Sequence, residues 1–172
     1  MSLIAMMTCL ITVCSWLTIP AAVPFTMQTF AVSCSLLLLG GKAGLTAIGV
    51  YVFMGCVGLP VFSGFRGGIG HIVGPTGGYI IGFIFTAVFY LLLEPLFHKG
   101  SKIQLVVLAG GLIICYLIGT MWFRVVFGMQ GVSYSFGMAF SLCVLPYIIP
   151  DAIKIALAWI ISKRIRKAIP DL

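Results

Sequence analysis

Apolar residues fill this chain in six long blocks, and nearly all of its charge sits in the breaks between them. The blocks span residues 3–19, 25–41, 43–59, 79–93, 103–123 and 146–162. None shows the strict alternation of period two that a half-buried strand requires. A hydrocarbon layer roughly 30 Å thick takes about 17–25 helical residues to cross, and the blocks are at or near that length. They predict six transmembrane helices. Pro20 and Pro24 mark the first turn, Lys42 the tight second connection, and Glu94, Pro95, His98, Lys99 and Lys102 the polar link before the fifth block. Residues 60–78 hold seven glycines and two prolines, too broken a stretch for a span. Residues 128–144 are only moderately apolar, with Gln130, Ser133, Tyr134 and Ser135. They read as an interfacial or half-buried helix, with a seventh span as the alternative. The last helix starts near Pro146, which leaves Pro146 and Pro150 in or near its first turn, where proline is tolerated.

Composition removes the soluble alternatives. Hydrophobic residues make up 62% of the 172 residues, against roughly 45–50% in ordinary globular proteins, and charged residues 8% against roughly 25%. Such a chain cannot clothe a water-facing exterior. In lipid every backbone N–H and C=O must be satisfied internally, so the fold class is an all-α integral membrane bundle. Disorder and fibrous repeats are excluded with it. The net charge of +7 does not indicate nucleic acid, because four of the ten basic residues, Lys163, Arg164, Arg166 and Lys167, gather in one tail. That tail is an anchor beside anionic lipid headgroups. The six cysteines stand singly in apolar runs, without metal-ligand or redox spacing, and read as small core residues. The first block lacks a preceding basic region and a following small-residue cleavage site, so it reads as a retained span.

Six spans place both termini on one side. With the basic tail in the cytoplasm, that side holds Lys42, Lys99, Lys102, Lys163, Arg164, Arg166 and Lys167, and the outer side only Arg66 and Arg124. This is the asymmetry that lysine and arginine show across membranes.

Lys154 lies inside the last apolar block, three residues from Asp151 and on the same helical face. Charges at membrane depth are costly and normally face a bundle interior, paired or engaged with a solute. The alternative is a structural ion pair that only locks helices. Convergence favours the solute. Gln28, Arg66, Tyr79, Arg124, Asp151 and Lys154 all fall at the outer ends under this topology, with Phe25, Phe62, Phe65 and Tyr147 as candidate apolar walls. Tyr79 and Tyr147 also fit an interfacial aromatic role. A bundle with polar groups gathered at its outer mouth is a small-molecule pocket. Arg66, Lys154 and Asp151 sum to one positive charge, which a monoanion neutralises. Guanidinium binds a carboxylate bidentately, and Asp151 accepts from N–H groups. The expected ligand is small, with one carboxylate and at least one N–H.

Other chemistries find no residues to carry them. The run from Gly64 to Tyr79 is glycine-rich but has neither a Gly-Lys-Ser/Thr ending nor the dinucleotide spacing. Its glycines suit a capping or re-entrant loop packed close to helices and ligand. His71 and His98 fall on opposite sides of the membrane as loop residues. No metal site, serine hydrolase or other enzyme is therefore expected.

Four stretches carry a resemblance: Val23-Pro24-Phe25-Thr26-Met27-Gln28-Thr29-Phe30, Gly58-Leu59-Pro60-Val61-Phe62, Gly74-Pro75-Thr76-Gly77-Gly78-Tyr79 and Pro150-Asp151-Ala152-Ile153-Lys154. In this order and spacing the chain resembles the biotin-specific substrate-binding (S) components of energy-coupling-factor transporters. The resemblance implies a six-helix subunit of a prokaryotic cell membrane that captures biotin from outside and needs no cofactor. It also implies partners, namely a transmembrane coupling subunit and two ATPase subunits, which fits the missing phosphate-binding loop. Biotin has one carboxylate and a cyclic urea with two N–H groups. Asp151 and Lys154 match the family's polar pair. Arg66 falls at a ligand-contacting loop position, and Ile80 stands where some members have a basic residue, which turns the carboxylate role toward Arg66. The family meets its coupling subunit through a small-residue face on the first helix, kept here as Ala5 and Cys9. The alternatives are an S component for another small carboxylate vitamin and a structural membrane subunit without a ligand.

Overall fold

The computed structural model describes residues 1–21, 23–98 and 101–169; Lys99, which the sequence assigns to the cytoplasmic side, lies outside them. Eight helices are described: α1 (Ser2–Trp16), α2 (Gln28–Leu39), α3 (Gly41–Cys56), α4 (Ile69–Val73), α5 (Gly77–Leu93), α6 (Ile103–Met129), α7 (Phe136–Cys143) and α8 (Leu145–Ala168). Each of the six apolar blocks overlaps one of the longer helices. Among the described residues three helical stretches are long and apolar enough to cross a membrane, Gly77–Leu96, Ile103–Met129 and Leu145–Ala168. The helices α1, α2 and α3 are shorter, at 15, 12 and 16 residues.

The boundaries differ from the sequence expectation mainly at one end. Residues 18–19 and 25–27 are not helical. Thr18–Ile19 (β1) pairs antiparallel with Phe25–Thr26 (β2), Thr18 opposite Thr26 and Ile19 opposite Phe25. Pro20 and Pro24 exclude helix here, and the strand ladder satisfies the backbone groups the helices give up. α6 continues past residue 123 to Met129 and takes Arg124 into its body. Arg124 does not end the helix because its exposed side chain leans along the surface and donates from Nε to the Tyr134 carbonyl at 3.0 Å. The stretch 128–144 contains only the eight-residue α7, roughly 12 Å long at 1.5 Å per residue. That is well short of the roughly 30 Å of a hydrocarbon layer. Pro150 lies inside α8 rather than at its start.

Two packing arrangements position the site. α5 and α6 meet along small residues four apart, Gly78 and Gly82 against Cys115 and Gly119, with the Trp122 side chain laid over Gly78. A Cβ on Gly119 would lie 2.3 Å from the Tyr79 ring, and one on Gly82 2.7 Å from Cys115 Sγ. Thr86 closes the contact by donating to the Gly111 carbonyl at 2.7 Å. Small residues bring the backbones together in lipid, where the surrounding chains are as apolar as the side chains. At the opposite end from β1 and β2, Gly40 turns the chain with φ +84° and α3 begins at once. The Glu94 carboxylate accepts the Gly41 N–H at 2.8 Å, placing negative charge at the positive end of α3. Gly41 must be glycine, since a Cβ there would lie 2.6 Å from the Leu91 backbone.

The glycine-rich segment is tied down. Trp16 Nε1 donates to the Pro60 carbonyl at 2.9 Å, Ser15 Oγ to that of Val61, and Trp122 Nε1 to that of Gly74 at 3.0 Å. The Gly68 N–H reaches the Gly55 carbonyl at 2.7 Å.

Candidate functional site

At the end where β1 and β2 lie, a cavity opens among α2, α3, α4, α5, α6 and α8. One wall is α8. The spacing of three puts Asp151 and Lys154 on one face, and both are buried, with 5% and 4% of their surface exposed. Lys154 Nζ lies 2.8 Å from Asp151 Oδ1. The other carboxylate oxygen, Oδ2, accepts from the Tyr116 hydroxyl at 2.6 Å. The ammonium also donates to the Thr26 carbonyl at 2.7 Å and sits 3.7 Å from the centre of the Phe25 ring. Such enclosure is what makes two charges tolerable at this depth, since a lone buried charge would cost several kcal/mol. β2 therefore has a local purpose. It ends the first loop so that a carbonyl and an aromatic face meet Lys154.

A second wall comes from α2 and α3, where Gln28 Nε2 donates to the Tyr51 hydroxyl at 3.0 Å and both residues are buried. Tyr79 and Ile80 open α5, with Tyr79 3.5 Å from the Thr120 hydroxyl. Tyr147 stacks on Phe25 at 6.1 Å and donates to the Val23 carbonyl. The glycine-rich segment contributes Ser63, His71 and Thr76. Burial pushes the His71 imidazole below the ordinary histidine range, and the nearby Arg66 charge adds to that.

Of the eight ligand candidates read from the sequence, Phe25, Gln28, Tyr79, Tyr147, Asp151 and Lys154 line this cavity. Phe62 and Arg66 do not. The two residues form an antiparallel bridge, with the Phe62 N–H 2.9 Å from the Arg66 carbonyl. Phe62 is fully buried over Gly55, behind His71. Arg66 is exposed, and a guanidinium is best solvated there. Phe65, the other proposed wall, is also outside, stacked on Trp16 at 4.9 Å. Arg124 is likewise on the surface.

The sequence reading missed Tyr51, Tyr116 and His71. Tyr116 carried a signal, as the lone polar side chain between residues 105 and 117 of an apolar helix. His71 was placed in a loop, whereas it stands on α4 facing the cavity. Cys115 and Cys143, read as core filler, are buried and also line it. Among the described residues no group of three histidine, cysteine or acidic side chains is placed to hold a metal.

The family model for the BioY family matches residues 1–171. The chain is 43% identical over 145 residues to the probable biotin transporter BioY of Pyrococcus horikoshii, covering 84% of this chain and 81% of the relative. It is 39% identical over 163 residues to the biotin transporter BioY of Thermotoga maritima, covering 93% and 91%. Among solved structures it is similar to the S-component for biotin from an ECF-type ABC transporter, with a TM-score of 0.86 and 28% identity, covering 96% of this chain and 89% of that one. A polar cavity among apolar helices, a chain-long family match and relatives of nearly equal length agree, and the chain belongs to the BioY family.

Proposed function

We propose that this membrane protein is the biotin-binding S component of an energy-coupling-factor transporter, a transport subunit rather than an enzyme, and that biotin occupies the cavity beside Asp151 and Lys154. The observation that carries this reading is the buried Asp151–Lys154 pair open to a cavity. A cyclic urea offers two N–H donors and a carbonyl acceptor side by side, which complement a carboxylate beside an ammonium. Tyr116 orients the carboxylate, Thr26 holds the ammonium, and Phe25 and Tyr147 supply the apolar wall. Gln28 and Tyr79 complete the polar lining.

In this reading α1, α2, α3, α5, α6 and α8 are the six spans of one membrane domain, with both termini cytoplasmic. α2 alone covers roughly 18 Å at 1.5 Å per residue, so its crossing is completed by β2 and by the thinner, irregular outer layer of the protein. Irregular backbone is acceptable at that depth where protein or a cavity surrounds it. The glycine-rich segment closes the cavity from outside. Ala5 and Cys9 are exposed on α1 and line an apolar groove with Val50 and Met54. That groove suits a close-packed helix of a transmembrane coupling subunit, whose two ATPase subunits supply the energy. Capture occurs outside, and release follows when the assembled complex reorients the subunit.

Isothermal titration of the purified subunit with biotin tests the reading directly. Saturable binding of one biotin per chain is expected, and native mass spectrometry should show its mass on the protein as purified. A chain that ignores biotin and retains another small carboxylate would redirect the assignment to that ligand.

A further inference from the structure

The cavity's own charges leave half of the ligand unaccounted for. Among the described residues that line it, only Asp151 and Lys154 carry charge, and they neutralise one another. Biotin brings an additional negative charge at the end of its side chain, away from the urea. Arg66 does not reach the cavity, and Ile80, which does, is apolar.

One lining group stands unused. His71 Nε2 is buried and has no hydrogen-bond partner among the described residues. The other buried atoms in that condition belong to Ser162 and Arg166, at the far end of α8. An unmet buried donor is costly, so a native structure that keeps one calls for an explanation. The imidazole is fixed rather than loose, since its ring stacks on Phe62 at 5.3 Å and Phe62 in turn meets Tyr51 edge-on. It also sits on α4, which packs on α3 and α5, a different wall from the one α8 provides. Arg66 lies on the same segment, close enough for its charge to be felt at the imidazole. A carboxylate at Nε2 gains a hydrogen bond and that favourable field together.

We infer that His71 is the carboxylate-binding residue of this cavity, donating from Nε2 to the side-chain carboxylate of bound biotin while Asp151 and Lys154 hold the urea. This rests on the biotin reading above. The sequence-based assignment of the carboxylate to a direct Arg66 contact is replaced by a histidine contact with the arginine acting at a distance.

The test compares biotin with its uncharged methyl ester on the full-length protein, its His71→Leu variant and its His71→Gln variant, by isothermal titration in detergent. Hydrogen bonds to charged groups are worth more than neutral ones. His71→Leu should weaken biotin about tenfold or more and the ester by about twofold at most, so the preference for the acid collapses. His71→Gln keeps an N–H donor and should recover part of it. Equal losses for both ligands, or no loss for either, would overturn the inference while leaving biotin as the ligand. If the unaltered protein binds neither compound, the biotin reading fails first. Ester binding reports that the site is folded in each variant. If His71→Leu does not fold, an unchanged acid preference in a His71→Ala variant also overturns it.

Discussion

The two ends of this molecule bury polar groups in opposite ways. At the Glu94 end, the carboxylate accepts a backbone N–H from Gly41, and Gln104 donates to the Tyr90 hydroxyl at 2.7 Å. Glycines let the chains touch there, and the partners are a backbone N–H and a fully buried tyrosine. At the cavity end, Asp151 and Lys154 are held by each other, one hydroxyl, one carbonyl and a ring face. Phe25, Thr26 and Tyr116, which supply those contacts, all line the cavity. Burial alone therefore does not separate a structural polar group from a binding one. What separates them is whether space remains beside it.

The contrast breaks most sharply at Asp151. Asp151→Asn and Lys154→Ala should each reduce biotin affinity by about 2–5 kcal/mol, because removing one member of a buried pair strands the other. Isothermal titration measures this, and unchanged affinity in both variants would remove the pair from the site. At the other end, Gly41→Val meets Leu91 at once. Overpacking of that kind costs about 1–3 kcal/mol. Thermal unfolding in detergent should fall while the biotin affinity of the folded fraction stays put. A parallel loss of affinity would show that the ends are not independent. Tyr116→Phe deletes one hydrogen bond to Asp151 and should cost about 1–2 kcal/mol of binding, with little change in melting. Arg66→Gln should have the smallest effect, about threefold or less in affinity. It should fade as salt rises from low to about 1 M, where screening lengths shrink to about 3 Å.

Much of this was legible in the chain. The apolar blocks locate α1, α2, α3, α5, α6 and α8, because uninterrupted hydrophobicity is costly anywhere but lipid or a core. The pair at 151 and 154 stands out because charges are rare in such blocks. The ends of helices were less visible. Residues 18–19 and 25–26 are as apolar as their neighbours, and hydropathy does not distinguish a strand pair from a helical turn. Arg124 was read as a stop, although a long side chain can lie along a helix that continues. His71 and Arg66 show the deepest gap. They are five residues apart in one glycine-rich segment, and the composition gives no sign of which faces inward. That depends on the bridge between Phe62 and Arg66 and on the long-range ties of the segment to Trp16 and Trp122.

The glycine seam between α5 and α6 has a practical consequence. Two helices that interlock at near-backbone distance, with Thr86 bridging to Gly111, move together or not at all. Probes for distance spectroscopy attached across that seam will report a constant separation through the transport cycle. They supply the fixed ruler against which any displacement of α8, or of the segment bearing His71, becomes measurable.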